Sequence, residues 1–191
     1  MRILLPTVLW CVAVSVALAP QSNAASSAPL GPCAALEQKQ LAFWVGEWDL
    51  TWPGAKPGEL DHGTNSVHRL LENCLVQENF SGGHAMHLRG MSVSIFDTSA
   101  GRWKQTWVDN QGGYLDFVGE FKDGQLILGR DAVLPDGTGV IQGVVFKNIT
   151  AKEFDWNWEA FTDGGKSWQV RWPIHYSRKA PRASPVAVVR P

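Results

Sequence analysis

The chain has 191 residues, with 17 Lys and Arg against 18 Asp and Glu, so its formal net charge is −1. This balance excludes a general electrostatic attraction to nucleic acid or to an anionic membrane surface. The length suits one domain with a sizeable core. Ten tryptophans are present. Because tryptophan is large and rigid and carries one hydrogen-bond donor, this number favours either an aromatic core or a pocket for a flat or apolar molecule.

The amino terminus has the pattern of an export signal. Met1 and Arg2 precede an apolar run that ends near Ala19, and small residues follow up to Ala24. The run is short for a bilayer span, which takes roughly 20 apolar residues. We therefore predict a secretory signal peptide over residues 1–24, and a secreted or periplasmic protein with no stable membrane association after cleavage. A retained membrane anchor is the alternative.

Two further segments lack the periodicity of folded structure. Residues 25–33 form a linker of small residues and proline, and residues 180–191 form a tail interrupted by prolines. Such segments are expected to be disordered. A single domain is predicted between them, over residues 34–179.

Two cysteines, Cys33 and Cys74, follow the predicted signal peptide. In an exported protein an even pair of cysteines predicts a disulfide. This bond would close a loop of about 40 residues, worth roughly 4 kcal/mol in the chain-entropy description. Two unpaired, buried thiols are the alternative.

The remaining pattern is that of a small β-protein. Strong helix formers predict one short helix over residues 34–43. After it, Gly-rich and Asp-Gly turn signals recur about every dozen residues and supply the positive φ of tight hairpins. No long crossover of the kind a Greek key needs is evident. We predict an all-β, antiparallel up-and-down β-barrel of about eight to ten strands with one short N-terminal helix.

Alternation of apolar and polar residues predicts which side chains face the interior of the barrel. In one strand the inward set is Phe154, Trp156, Trp158 and Ala160. In the last strand the inward set is Trp168, Val170, Trp172, Ile174 and Tyr176. Pro173 in that strand implies a bulge or a local edge.

One predicted strand mixes aromatic and polar residues on the same face. Trp103, Gln105, Trp107 and Asp109 alternate along residues 102–109. If the tryptophans point inward, so do an amide and a carboxylate, which then need a partner, a water or a ligand. Glu78 shares a strand face with apolar neighbours and becomes a second buried carboxylate if that face is the lumen.

Four segments carry a resemblance to a known family. They are residues 43–49 (FWVGEWD), 72–80 (ENCLVQENF), 94–97 (SIFD) and 101–110 (GRWKQTWVDN). Together they resemble a family of uncharacterised, mostly bacterial and often exported proteins of the calycin, or lipocalin-like, superfamily. The resemblance covers about residues 41–179 and implies a barrel. It implies no particular activity.

Two more distant resemblances concern single residues. The step from Gly46 to Trp48 is similar to the opening of lipocalins, in which an arginine from the last strand covers the indole. Arg171 or Arg178 would take that place here. The opening is also similar to that of the nitrobindin haem barrels, whose proximal histidine lies in the final strand. His175 lies about two residues from that register, so haem binding is the lowest-ranked reading.

Catalytic and metal-binding motifs are sparse. The chain has no nucleophile elbow, zinc-protease motif, Cys-x-x-Cys pair, phosphate loop or dinucleotide fingerprint. His84 and His87 are three residues apart, so in an extended segment they point to opposite faces, and a third ligand is not obvious. We predict no metal site and no cofactor. Glu47 and Asp49 share the face opposite Trp48 and are interpreted as solvated charges.

These patterns predict a barrel that binds a small apolar or aromatic molecule in its lumen. The alternative is a cofactor-free enzyme that acts on such a molecule, with Asp109 or Glu78 as acid-base. Tryptophans that only fill the core are a third possibility. The predicted ligand-binding residues are Trp103, Gln105, Trp107, Asp109, Glu78, Trp156, Trp158 and Trp172.

Overall fold

A computed structural model of the chain describes residues 33, 36–161 and 168–180. The predicted signal peptide lies outside the described residues, as do the predicted linker apart from Cys33 and the predicted tail apart from Ala180. The described residues form a 3-10 helix, a one-turn helix α1 and ten strands. In chain order these are the 3-10 helix Glu37–Phe43, β1 Gly46–Pro53, β2 Leu60–Leu70, β3 Leu75–Ser81, α1 Gly83–Met86, β4 Arg89–Asp97, β5 Arg102–Asp109, β6 Tyr114–Lys122, β7 Gln125–Val133, β8 Gly139–Lys147, β9 Glu153–Phe161 and β10 Trp168–Arg178.

The ten strands form one closed antiparallel barrel. Each strand pairs with the next along the chain, and β1 pairs with β10 to close the sheet. This order confirms the predicted all-β up-and-down barrel with a short N-terminal helix, and it is consistent with a calycin-like fold. At the β6–β7 hairpin Asp123 and Gly124 have φ values of 51° and 77°, the left-handed conformation that a two-residue hairpin turn requires.

One end of the barrel is filled by the 3-10 helix and the first strand. Leu41, Trp44 and Trp48 are fully buried there. The Trp48 ring meets Phe154 edge to face, with centroids 4.9 Å apart, and its Nε1 donates a hydrogen bond to the backbone oxygen of Trp44 at 2.7 Å. This packing leaves any free interior space nearer the opposite end.

Arg178 covers Trp48 at the closed end. Its guanidinium carbon lies 4.1 Å from the centre of the indole ring. The same side chain donates hydrogen bonds to the backbone oxygens of Phe43, Val45 and Ala151 at 2.7, 2.9 and 2.7 Å. Gly46 has a φ of 135°, and a Cβ on it would collide with the guanidinium. Glycine at this position therefore makes room for the arginine.

The last strand contains a bulge that changes which residues face inward. Val170 pairs with Glu159 and Trp172 pairs with Trp158, so Arg171 is an extra residue without a counterpart. One extra residue reverses the alternation on one side of the bulge. The prediction that Trp168 and Val170 face the interior is therefore wrong, and their exposures are 36% and 49%.

The structure also distinguishes the two arginines that the sequence predicted as a cover for Trp48. Arg171 is exposed at the bulge, whereas Arg178 pairs in register with Trp48 across β1 and β10. Arg178 is the residue that covers the indole.

The predicted disulfide between Cys33 and Cys74 is confirmed. It joins the segment before the 3-10 helix to the turn between β2 and β3 across a sequence separation of 41 residues. It thereby holds the N-terminal segment to the barrel wall. None of the helices in the described part of the chain has the length and apolar character needed to span a bilayer.

Candidate functional site

The barrel interior contains a cavity of about 230 Å³. Its walls come from six of the strands and from the segment that follows α1. The lining residues are Glu78, Phe80, Leu88, Gln105, Trp107, Leu115, Phe117, Val144, Trp156, Trp158, Trp172, Ile174 and Tyr176. This lining is mostly aromatic or aliphatic, with a carboxyl, an amide and a phenol as its main polar groups.

The aromatic walls hold one another in fixed orientations. Trp172 meets Trp156 edge to face with centroids 5.8 Å apart, and it meets Trp52 in the same way at 5.7 Å. Phe117 meets Trp158 edge to face at 5.9 Å. Edge-to-face contacts are the favoured geometry between aromatic rings and add about 0.5–1.5 kcal/mol each. The rings therefore brace one another around the free space.

Glu78 carries the polar centre of the cavity. Asn65 Nδ2 donates a hydrogen bond to Glu78 Oε1 at 2.6 Å, and Ser92 Oγ donates to Glu78 Oε2 at 2.6 Å. Asn65 Nδ2 also donates to the hydroxyl oxygen of Tyr176 at 3.1 Å. The network joins β3 to β2, β4 and β10 across the barrel interior. It draws together residues that are distant in the chain.

Burial sets the protonation behaviour of these two acids. Desolvation raises the pKa of Glu78 to about 6, against the opposing effect of the hydrogen bonds from Ser92 and Asn65. Desolvation, followed by the nearby charge of Glu78, raises the pKa of Tyr176 well above its ordinary value. Near neutral pH Glu78 is therefore mostly a carboxylate and Tyr176 a neutral phenol. Both side chains are buried, so their charged forms are poorly solvated.

Gln105 extends the polar region across β4 and β5. Its Nε2 donates a hydrogen bond to Ser94 Oγ at 3.0 Å and makes a longer contact with Ser92 Oγ at 3.4 Å. All three side chains are buried. Through Ser92 the amide of Gln105 joins the network of Glu78.

Trp107 is positioned by a glycine and a carboxylate. The indole packs on Gly90, where a Cβ would collide with the ring. Its Nε1 donates a hydrogen bond to Asp109 Oδ2 at 2.9 Å. Glycine at residue 90 therefore allows the indole to lie flat against β4, and Asp109 fixes its orientation.

Asp109 is a turn residue at the rim and does not line the cavity. Its Oδ1 accepts hydrogen bonds from the backbone amides of Gln111 and Gly113, each at 2.9 Å. The hydrogen bonds from Trp107, Gly113 and Gln111 lower the pKa of Asp109 despite partial desolvation. An acid with a lowered pKa and both oxygens occupied is poorly suited to proton transfer. Of the two polar residues predicted to face the lumen from β5, Gln105 lines the cavity and Asp109 lies beside Trp107 at the rim.

One lining residue has an unused hydrogen-bond donor. The indole Nε1 of Trp172 is buried and has no partner within the part of the chain that the structure describes. A buried donor without a partner costs about 1–3 kcal/mol. A hydrogen-bond acceptor on a bound molecule would recover that cost.

Most of the sequence-predicted ligand-binding residues come together at this cavity. Those that line it are Glu78, Gln105, Trp107, Trp156, Trp158 and Trp172. Trp103 does not line it. Trp103 is buried closer to the N-terminal helix, and its Nε1 donates to Gln40 Oε1 at 2.9 Å. Trp103 therefore anchors the 3-10 helix.

Sequence reasoning did not identify Asn65, Ser92 or Ser94 as members of the polar network, and it assigned no polar partner to Tyr176. Tyr176 was predicted to face inward, but nothing in its strand signalled a partner for its hydroxyl. Asn65 lies in β2, where polar and small residues obscure the alternation. Its hydrogen-bond partners are Glu78 on β3 and Tyr176 on β10, and they become apparent only once the barrel closes.

The histidines and outer carboxylates lie away from the cavity. His175 is on the outer side of β10, with Nδ1 2.8 Å from Asp155 Oδ1. His84 and His87, in and after α1, are exposed. Glu47 and Asp49 are exposed on β1. Within the described residues, no group of three or more His, Cys, Asp or Glu side chains is arranged to hold a metal ion.

The chain has no significant match among protein-family models or among curated proteins. The fold and the site define a ten-stranded up-and-down β-barrel with an aromatic internal cavity and a buried carboxyl. A function is therefore to be inferred from the chemistry of that cavity.

Proposed function

We propose that the protein is a secreted or periplasmic binding protein that takes up a small, largely apolar molecule in its barrel. The observation that carries this proposal is the cavity of about 230 Å³, with aromatic walls and a few buried polar groups at defined positions. Pockets for small molecules combine these two features. The Cys33–Cys74 disulfide supports an oxidising compartment.

The size of the cavity limits the ligand. An apolar cavity of about 150 Å³ accommodates benzene, and drug-sized ligands occupy roughly 300–1,000 Å³. A cavity of about 230 Å³ thus suits a molecule with one ring, or two small fused rings. Flat molecules have the further advantage that they can contact the faces and edges of the surrounding indoles.

The polar groups would orient such a molecule. Glu78 accepts hydrogen bonds as a carboxylate, and Trp172 offers an indole N–H without a partner. A ligand with a donor for the first group and an acceptor for the second would satisfy both. Ligands without such atoms would leave the desolvation cost of these groups in place.

The experiment is a binding titration with a matched pair of variants. Naphthalene and benzyl alcohol are titrated by calorimetry. Separately, native mass spectrometry of protein exported by its own host identifies any ligand that copurifies with it. Val144→Phe places a ring in the cavity, whereas Val118→Phe makes the same change at an exposed position on β6. We expect binding to be lost in the first variant and kept in the second. Equal binding in both variants would refute a lumen site.

A second candidate function is a cofactor-free enzyme with Glu78 as general acid-base. The observation in its favour is that burial raises the pKa of Glu78 to about 6, close to the range in which a carboxyl exchanges protons efficiently near neutral pH. The test uses the copurified ligand incubated with the protein in deuterated water. Deuterium uptake at a C–H position that disappears in Glu78→Gln supports catalysis, and its absence supports binding alone.

A further inference from the structure

Glu78 is a buried carboxyl whose partners in the protein are all neutral. Its two oxygens accept hydrogen bonds from the amide of Asn65 and the hydroxyl of Ser92. The cavity lining contains no Lys, Arg or His among the described residues, and its other titratable member is Tyr176. The pKa of Tyr176 is raised, so the phenol stays neutral. Buried charges in proteins are ordinarily paired with an opposite charge or a metal.

Two half-buried arginines of the barrel have partners away from Glu78. Arg69 Nη2 donates to the backbone oxygen of Gln38 at 2.8 Å, beside the 3-10 helix. Arg130 Nη1 donates to Gln142 Oε1 at 3.0 Å, between β7 and β8. Neither arginine lines the cavity. The charge of Glu78 therefore has no counter-ion within the described part of the barrel wall.

The aromatic walls add a second preference for positive charge. Four indoles and two phenyl rings line the cavity. The face of an aromatic ring carries partial negative charge and attracts a cation within about 6 Å, most strongly when the site is desolvated, and tryptophan is the best partner. Aromatic rings around a buried carboxylate thus form a site of consistently negative potential.

We infer that the ligand of this barrel is a small organic cation, an ammonium group carried on an apolar or aromatic body. The ammonium would pair with Glu78 between its hydrogen bonds to Asn65 and Ser92, and the apolar body would lie among the indoles. This inference rests on the proposed function, because it names the chemical class of the molecule that occupies the same cavity. An ammonium group supplies the counter-ion that the protein does not, whereas a neutral ligand leaves the carboxylate desolvated and unpaired.

The test compares three probes of nearly equal shape. Benzylamine, benzyl alcohol and benzoate share one ring and one short substituent but are cationic, neutral and anionic at pH 7.5. We expect benzylamine to bind at least ten-fold more tightly than benzyl alcohol, and benzoate to show no binding. The cation inference is overturned if benzyl alcohol binds as tightly as benzylamine, while the proposed binding function stands. Failure of all three probes, and of naphthalene, overturns the proposed function as well.

Variants locate the preference on Glu78. In Glu78→Gln the affinity ratio of benzylamine to benzyl alcohol should fall to within about two-fold of one. Glu120→Gln makes the same chemical change at an exposed position on β6, and its ratio should match the wild-type value. A ratio unchanged in Glu78→Gln contradicts the inference.

The unmodified protein provides an independent measurement should Glu78→Gln fold poorly. The groups that face Glu78 are Asn65, Ser92 and Tyr176, and none of them changes charge between pH 5 and pH 8. Since burial raises the pKa of Glu78 to about 6, the preference for benzylamine should be full at pH 7.5 and at least five-fold smaller at pH 5. A preference that does not depend on pH refutes the role of Glu78.

Discussion

Arg178 holds its guanidinium carbon 4.1 Å from the centre of the Trp48 ring, at the closed end of the barrel. The two residues pair across β1 and β10, the strands that close the sheet. The arginine also donates hydrogen bonds to three backbone oxygens from two separate segments. This contact therefore joins the first strand, the last strand, the N-terminal helix and the β8–β9 turn.

Trp48→Ala tests the packing at this end. Trp48 is fully buried, so its truncation should lower the free energy of unfolding by about 3–5 kcal/mol. Glu47→Ala, at the exposed neighbouring position, should change it by about 0.5 kcal/mol or less. Urea unfolding measures both, and equal losses would mean that the faces of β1 are assigned wrongly.

Arg178→Lys tests the cover over the indole. Lysine keeps the charge but lacks the fork of donors that reaches Phe43, Val45 and Ala151. We expect a loss of about 1–3 kcal/mol, since the contact with the indole is weakened and up to three charge-assisted hydrogen bonds are lost. Arg171→Lys is the matched control at the exposed bulge and should stay within about 0.5 kcal/mol of wild type. Similar losses in both variants would mean that Arg178 contributes no more to stability than an exposed arginine does.

The disulfide makes stability depend on redox conditions. Reduction frees a loop closed by Cys33 and Cys74, 41 residues apart in sequence, and should lower the free energy of unfolding by up to about 4 kcal/mol. Thermal melts with and without reductant measure the effect, and the variant with both cysteines changed to alanine should show none.

Intact mass after alkylation should find no free thiol and a mature chain that begins near Ala25. Two alkylated cysteines in unreduced, natively exported protein would contradict the prediction.

Glu78 makes a pH-dependent contribution to stability with a definite sign. Its pKa is raised from 4.5 to about 6 in the folded state, so the unfolded chain loses this proton at lower pH than the folded protein does. The contribution is full below about pH 4.5 and is lost as the pH rises through 6, an effect of about 2 kcal/mol.

Glu78→Gln isolates this contribution, because the glutamine does not titrate. Relative to wild type, the variant should gain about 2 kcal/mol in free energy of unfolding on going from pH 4.5 to pH 7.5. Urea unfolding at the two pH values measures the difference, and Glu120→Gln at the exposed position serves as the control. A difference between Glu78→Gln and wild type that is constant with pH would contradict the raised pKa.

Gln105 and Asp109 should respond differently to substitution, although they lie on the same strand face. Asp109→Ala removes the acceptor of the Trp107 indole and of two turn amides, and we expect a loss of about 1–2 kcal/mol. Gln105→Leu combined with Ser94→Ala replaces both partners of a buried hydrogen bond by apolar groups and should change stability by less than about 1 kcal/mol, while affinity for the lumen ligand falls. Unfolding and binding measurements on both variants test this, and equal stability losses would make Gln105 structural.

Much of the architecture could be predicted because its signals are local. Asp-Gly and Gly-Gly turns are set by the backbone preferences of the residues that form them, so their even spacing predicted the meander. Alternation along β9 placed Phe154, Trp156 and Trp158 on the inner side. An even pair of cysteines predicted the disulfide. Each of these inferences needs only neighbouring residues, or residue types, to be correct.

The composition of the candidate site was decided by the tertiary structure. Glu78, Asn65 and Tyr176 meet only because the barrel closes, and Asn65 and Tyr176 are 111 residues apart in sequence. The bulge at Arg171 shifted the alternation within β10 by one residue, which no period of two in the sequence can reveal. The turn beyond β5 took the carboxylate of Asp109 away from the lumen through two backbone amides. Strand alternation selects a face for a side chain, whereas its partners depend on the register and closure of the whole sheet.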